Sequence, residues 1–133
     1  MVKDSELRHL RRCVELAVEA LENGDEPFGS VLVAADGTVP AEDRNRVAGG
    51  DHTRHPEFEL ARWSAAHARV GLGRIVYVAS SAQLTAWSAE SGAPQAPVRP
   101  LPVQEVAPGV AVEGPVPELV DEVRELHRRR LRS

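Results

Sequence analysis

Apolar and polar positions alternate with helical spacing at the start of the chain. Apolar side chains recur there every three or four residues, which places them on one face of an α-helix: Leu7, Leu10, Val14, Ala17 and Leu21. Asp4 or Ser5 is suited to cap such a helix, and Asn23-Gly24 is a standard stop signal. The pattern predicts an amphipathic helix over residues 4–22, with Cys13 on its apolar stripe.

A hairpin is predicted after this helix. Residues 28–34 are apolar and β-branched enough for a buried strand, and Asp36-Gly37 is a two-residue turn signal. Residues 38–46 can then return antiparallel. Pro40 has no N–H to donate, so the second strand is expected at a sheet edge.

The remaining chain predicts further helices and a strand. A helix is expected from Pro56 to about residue 70, a buried strand over 74–79, and a helix to about residue 90 that Ser80 or Ser81 caps. Residues 92–117 hold seven of the ten prolines, so this segment is expected to cross the surface, with a short edge strand at 103–106.

A last helix is predicted from residue 117 onward. The alternation of strands and helices indicates an α/β protein. A length of 133 residues fits one domain, residues 1–133, with the Pro-rich segment 92–117 and the helix 117–132 appended to it.

Composition narrows the possible function classes. The chain is 42% hydrophobic and has a net charge of −4. The negative charge argues against nucleic acid as a partner, because proteins that bind nucleic acid show a basic face. No apolar run is long enough to span a membrane. A single cysteine fits a cytoplasmic protein without an intramolecular disulfide. The arginines near the C-terminus are most simply a solvated helix end.

The triplet His55-Pro56-Glu57 carries the candidate chemistry. A histidine ring nitrogen at this place can bind zinc, and a glutamate one step into the helix can move protons to and from a bound water. The triplet alone equally fits a polar helix start whose acidic residues complement the helix dipole.

The order of motifs around this triplet resembles the cytidine and deoxycytidylate deaminase superfamily, in particular its guanine, cytosine and tRNA-adenosine deaminase branch. The segments that carry the resemblance are Pro27-Phe28-Gly29-Ser30-Val31-Leu32-Val33, Asp36-Gly37, Asn45-Arg46-Val47, His55-Pro56-Glu57 and residues 71–80. It covers roughly residues 5–90 and implies a three-layer α/β/α fold.

The resemblance also implies residue roles. His55 would be a zinc ligand together with two cysteines of a later P-C-x-x-C, and Glu57 would be the general acid and base. Asn45 would hydrogen-bond the substrate, a nucleobase or nucleoside, and Phe28 would line the base pocket. In such sites zinc activates a water that attacks the amidine carbon and expels ammonia. Members of the family commonly form homodimers or larger oligomers.

This chain departs from the family pattern at its cysteines. Cys13 is its only cysteine and lies upstream, so no P-C-x-x-C exists. The helix that follows His55 runs directly, at Trp63-Ser64, into a stretch that resembles the second zinc helix. About one βα unit is therefore missing, which predicts a reduced sheet.

Three interpretations of this departure remain open. The chain is a zinc-dependent hydrolytic deaminase, an inactive deaminase-like module for binding or oligomerisation, or an internal-deletion variant of a complete deaminase. Asp51 and His52, on the loop before His55, are conceivable further zinc ligands, but the simpler interpretation of His52 is a solvated loop histidine. The missing thiolates oppose hydrolytic activity, because a catalytic zinc normally has three protein ligands.

Overall fold

A computed structural model describes residues 3–46, 74–92 and 111–132. These residues fall into two compact units, 3–46 in the first and the remainder in the second. The described residues contain three helices and four short strands, which confirms the predicted mixed α/β fold with a reduced sheet. None of the helices described is long and apolar enough to cross a membrane.

The first unit begins with helix α1, Asp4–Glu22. Its bounds match the prediction, but neither Asp4 nor Ser5 is the N-cap. Lys3 occupies that position, and its backbone N–H donates to a carboxylate oxygen of Glu6 at 2.9 Å. Glu6 therefore satisfies one of the N–H groups that a helix start leaves unpaired. A short polar side chain at the N-cap is not needed for that bond. Leu10, Val14 and Ala17 of the predicted stripe are buried, whereas Leu7 and Leu21 are only partly buried. Leu16 and Ala20, which were not predicted, are also buried.

Helix α1 ends in a left-handed turn that glycine makes possible. Gly24 has a φ of 84°, and its N–H donates to the carbonyl of Leu21 at 3.1 Å. The N–H of Asp25 donates to the carbonyl of Ala20 at 2.9 Å. These two bonds are the pair that defines a Schellman motif, so Asn23-Gly24 stops the helix as predicted and also fixes the place of Asp25.

The predicted hairpin consists of β1, Gly29–Leu32, and β2, Ala41–Arg44. The strands are antiparallel, with Gly29 opposite Arg44 and Leu32 opposite Ala41. The turn between them closes with the Ala34 N–H donating to the Thr38 carbonyl at 2.8 Å. Both strands are shorter than predicted, because the turn takes up residues 34–38 and Pro40 cannot donate to a ladder.

The hairpin packs against α1 through Gly29. A Cβ at this position would lie 2.6 Å from the Cβ of Leu16 and 3.0 Å from the backbone nitrogen of Ala17. Those separations are too short for carbon contacts, so the strand approaches the helix backbone to a distance that only glycine permits. This contact sets the distance between α1 and β1.

The second unit contains strand β3 (Arg74–Val76), helix α2 (Ser81–Glu90), strand β4 (Ala111–Glu113) and helix α3 (Pro117–Arg132). Strands β3 and β4 are parallel, with Arg74 opposite Ala111 and Val76 opposite Glu113. A strand at 111–113 was not predicted. The expected strand at 103–106 and the expected helix over 56–70 lie outside the described residues.

The helices of the second unit bury its apolar residues. Ser80 caps α2 as predicted, since its Oγ accepts from the Gln83 N–H at 3.1 Å. Trp87 is buried, and its ring centroid lies 6.1 Å from that of His127 on α3. Leu119 is completely enclosed, so α3 contributes a core side chain.

His127 makes the stability of this unit dependent on pH. Burial lowers the pKa of His127 from 6.5 to about 4. The unfolded chain therefore binds a proton on this ring at a higher pH than the folded chain does. We expect the free energy of unfolding to be highest above about pH 6.5, and to fall as the pH is lowered toward about 4. Urea unfolding at several pH values measures this slope.

A His127→Gln variant is expected to flatten this slope. Leu126→Ala is the matched control, because it removes a buried side chain of the same helix but no titratable group. It should lower stability equally across the pH range. An unchanged slope in His127→Gln would contradict the assignment to His127.

Candidate functional site

The predicted site residues divide between described and undescribed parts of the chain. Phe28 and Asn45 lie at the open end of the hairpin, opposite the Asp36-Gly37 turn. His55 and Glu57 lie outside the described residues, as do Asp51 and His52.

The hairpin register brings Phe28 and Asn45 together. Gly29 and Arg44 are the last pair of the ladder at this end, so Phe28 and Asn45 are the residues directly beyond it on the two strands. The N–H of Asn45 donates to the carbonyl of Phe28 at 3.1 Å. Side chains directly opposite each other in an antiparallel pair share one face. The backbone bond therefore places an aromatic and a carboxamide residue, 17 positions apart in the sequence, next to each other in the fold.

The two side chains differ in burial. Asn45 is completely enclosed, and Phe28 is half-buried. A buried carboxamide is costly unless its polar atoms are satisfied, so its environment must be polar as well as closed. A ligand reaches this carboxamide only when part of the surroundings of Asn45 moves aside.

A largely enclosed ion pair contacts the backbone of Asn45. Nη1 of Arg44 is 3.2 Å from Oδ2 of Asp25 and donates to the carbonyl oxygen of Asn45 at 3.2 Å. The side chains of Arg44 and Asp25 are only 15% and 6% exposed. This ion pair was missed by sequence reasoning, because nothing in the local pattern relates residues 19 positions apart.

A second ion pair joins α1 to β2 at the surface. The Arg12 guanidinium binds the Glu42 carboxylate through two nitrogens, with Nε 3.0 Å from Oε2. This contact holds the pKa of Glu42 below its ordinary value. The Arg12 and Glu42 side chains are 40% and 35% exposed, so the contribution of the pair to stability is small.

Cys13 does not fit a zinc ligand. It lies on α1, and burial raises the pKa of its thiol to about 11. Zinc binds the thiolate, which such an environment disfavours. Within residues 3–46, 74–92 and 111–132, no three His, Cys, Asp or Glu side chains are grouped so that they could hold a metal ion. The described part therefore does not supply the thiolates that the family pattern requires.

Comparison with known proteins shows a partial similarity. No protein-family model matches the chain. The chain is 32% identical to a probable cytosine deaminase of Schizosaccharomyces pombe over 56 residues, which are 42% of this chain and 35% of the relative. It thus spans about a third of the length of this curated relative. The similarity supports, for the matched part of the chain, the deaminase-like family predicted from the sequence.

Proposed function

We propose that this chain is a cytidine-deaminase-like domain that binds a nucleobase or nucleoside of the cytidine, cytosine or guanine type. The observation that carries the proposal is the cross-strand pairing of Phe28 with Asn45. The similarity to a probable cytosine deaminase supports the same substrate class.

The chemistry of this pair suits a base. A nucleobase has a flat π face and an edge of hydrogen-bond donors and acceptors. An aromatic ring stacks on the face, and a carboxamide, which both donates and accepts, can match the edge or a sugar hydroxyl. In the proposal Phe28 lines the base pocket and Asn45 hydrogen-bonds the ligand.

The hydrolytic step is the part of the family chemistry that this chain is not equipped for. The resemblance assigns a zinc ion to His55 and proton transfer to Glu57, but the chain lacks the cysteine pair and Cys13 does not replace it. A catalytic zinc requires three protein ligands. We infer that the chain binds its ligand without deaminating it efficiently.

Calorimetric titration with cytidine, cytosine and guanine tests the binding proposal. We expect saturable binding of at least one of them, weakened about tenfold in Phe28→Leu, because leucine keeps an apolar side chain but loses the stacking ring. Val33→Ala is the matched control, since Val33 is an exposed apolar residue beyond the end of β1. Absence of binding heat for every ligand would contradict the proposal.

Metal content and ammonia release separate a binding module from an active hydrolase. We expect protein purified in the presence of zinc to hold well under one ion per chain, and to release no ammonia from cytidine, cytosine or guanine. One tightly held zinc, with ammonia release that disappears in Glu57→Ala, would establish the second candidate function. That candidate is a zinc-dependent deaminase, which the similarity to a probable cytosine deaminase favours.

Assembly and location remain predictions. The family resemblance predicts a homodimer or a larger homo-oligomer, which analytical ultracentrifugation would detect. The cytoplasmic location rests on the single cysteine, Cys13.

A further inference from the structure

We infer that Arg44 and Asp25 are positioning residues that hold Asn45 in the orientation needed to bind a ligand. The inference rests on the proposed function, because it concerns the residue that the proposal places against the base. It assigns to this ion pair a role beyond joining a helix to a strand.

The guanidinium of Arg44 connects two groups that are far apart in the sequence. Its Nη1 atom donates to the Asp25 carboxylate and to the Asn45 carbonyl oxygen, each at 3.2 Å. The N–H of Asn45 is meanwhile bound to the Phe28 carbonyl. Both backbone polar groups of Asn45, its N–H and its carbonyl oxygen, are thus hydrogen-bonded.

Asp25 is a rigid anchor for this guanidinium. Its backbone N–H is part of the Schellman motif that ends α1, and its side chain is only 6% exposed. The backbone of Asp25 therefore has a place determined by the end of the helix. Through Arg44, the end of α1 fixes the backbone at Asn45.

The location of Asn45 explains why such an anchor matters. β2 ends at Arg44, so Asn45 is the first residue beyond the regular strand. Backbone beyond the end of a strand is free to rotate unless further contacts hold it. A charge-assisted bond to the carbonyl oxygen restricts that rotation, and with it the direction of the Asn45 side chain.

The Arg12–Glu42 pair provides an internal comparison. Both ion pairs connect the α1 segment with β2, but Arg12 donates to the carboxylates of Glu42 and Glu15 and not to a candidate ligand residue. Arg44 also binds the backbone of a candidate ligand residue. If both arginines had a purely structural role, replacing either one would affect Asn45 to a similar degree. A positioning role predicts that only the replacement of Arg44 affects Asn45 specifically.

Amide hydrogen exchange tests this difference without a ligand. In Arg44→Met, we expect the Asn45 N–H to exchange about tenfold faster relative to the Ala34 N–H, which is bonded to Thr38 at the hairpin turn. In Arg12→Met, the ratio of the two rates should stay at its wild-type value. Equal acceleration of both amides in Arg44→Met would overturn the inference, because it would show a loss of stability alone.

Ligand binding gives the second readout. We expect Arg44→Met to weaken the binding of cytidine, cytosine or guanine about tenfold, and Arg12→Met to leave it unchanged. Unchanged affinity in Arg44→Met would contradict the inference. If Arg44→Met does not fold, Arg44→Lys provides the same comparison, since lysine keeps the cation but has a single ammonium group in place of the guanidinium fork.

The two readouts separate this inference from the proposed function. A wild-type protein that binds none of the three ligands refutes the proposed function, while the exchange ratio still decides whether Arg44 fixes the Asn45 backbone. Ligand binding by the wild type together with unchanged exchange and affinity in Arg44→Met refutes the positioning role alone.

Discussion

Replacing Gly29 with alanine is expected to lower the free energy of unfolding by about 3 kcal/mol, at the upper end for an overpacked site. The new methyl group would lie 2.6 Å from the Leu16 Cβ and 3.0 Å from the Ala17 backbone nitrogen. Backbone atoms of α1 cannot rotate away as the end of a long side chain can, so the hairpin must move off the helix. Urea unfolding followed by circular dichroism measures the loss.

Gly37→Ala is the matched control for this substitution. Gly37 lies in the hairpin turn with a φ of 88°, and a Cβ there would meet no atom within 4 Å. Only the left-handed backbone then opposes alanine, at a cost of about 1 kcal/mol. If Gly29→Ala is no more destabilising than Gly37→Ala, the close approach of β1 to α1 is not what stabilises this unit.

Replacing Asp25 with alanine is expected to cost about 3 kcal/mol. The substitution removes the enclosed carboxylate 3.2 Å from the Arg44 guanidinium, whose side chain is only 15% exposed, and leaves it the half-exposed Glu19 carboxylate, 4.0 Å from its Nε. A cation so enclosed cannot regain the hydration it has in the unfolded chain. Thermal and urea unfolding of the variant measure the effect, and the same samples show by amide exchange whether Asn45 is released.

Glu15→Ala is the control for a surface pair. Glu15 also contacts an arginine, Arg12 at 3.5 Å, but its side chain is 62% exposed. Its removal should leave the unfolding midpoint within experimental error, because solvent screens exposed pairs. The double variant Asp25→Ala with Arg44→Met should be less destabilised than the sum of its single variants. If the losses of unfolding free energy in the two single variants add up to the loss in the double variant, the two side chains do not interact energetically.

Together these variants separate stability from function at the hairpin. Gly29 and Asp25 affect how the hairpin is held against α1, whereas Phe28 and Asn45 are proposed to meet the ligand. The end of the hairpin that carries Phe28 and Asn45 is thus connected to α1 by a steric contact and by an ion pair. Loss of ligand binding in Phe28→Leu with unchanged stability would distinguish the site from its support.

Local features of this protein were predictable from the sequence. The bounds of α1, the stop at Asn23-Gly24, the Asp36-Gly37 turn and the Ser80 cap each depend on residues within a few positions of one another. Backbone propensity and capping act over the same short range, so a sequence pattern is enough to find them. The deaminase-like order of motifs was also a property of the sequence alone.

Long-range features needed the tertiary structure. The pairing of β3 with β4 was not predicted, because three-residue strands carry no recognisable alternation and their pairing joins segments 37 positions apart. The Arg44–Asp25 pair depends on the hairpin register and on the Schellman turn together, and neither alone implies it.

The candidate site shows the same division. The sequence determined which residue types are present: an aromatic ring at Phe28, a carboxamide at Asn45, and a lone cysteine at Cys13. The tertiary structure decided that Phe28 and Asn45 are cross-strand neighbours and that burial raises the pKa of the Cys13 thiol. Chemical identity is a property of each residue, whereas adjacency and burial arise only when distant segments pack together.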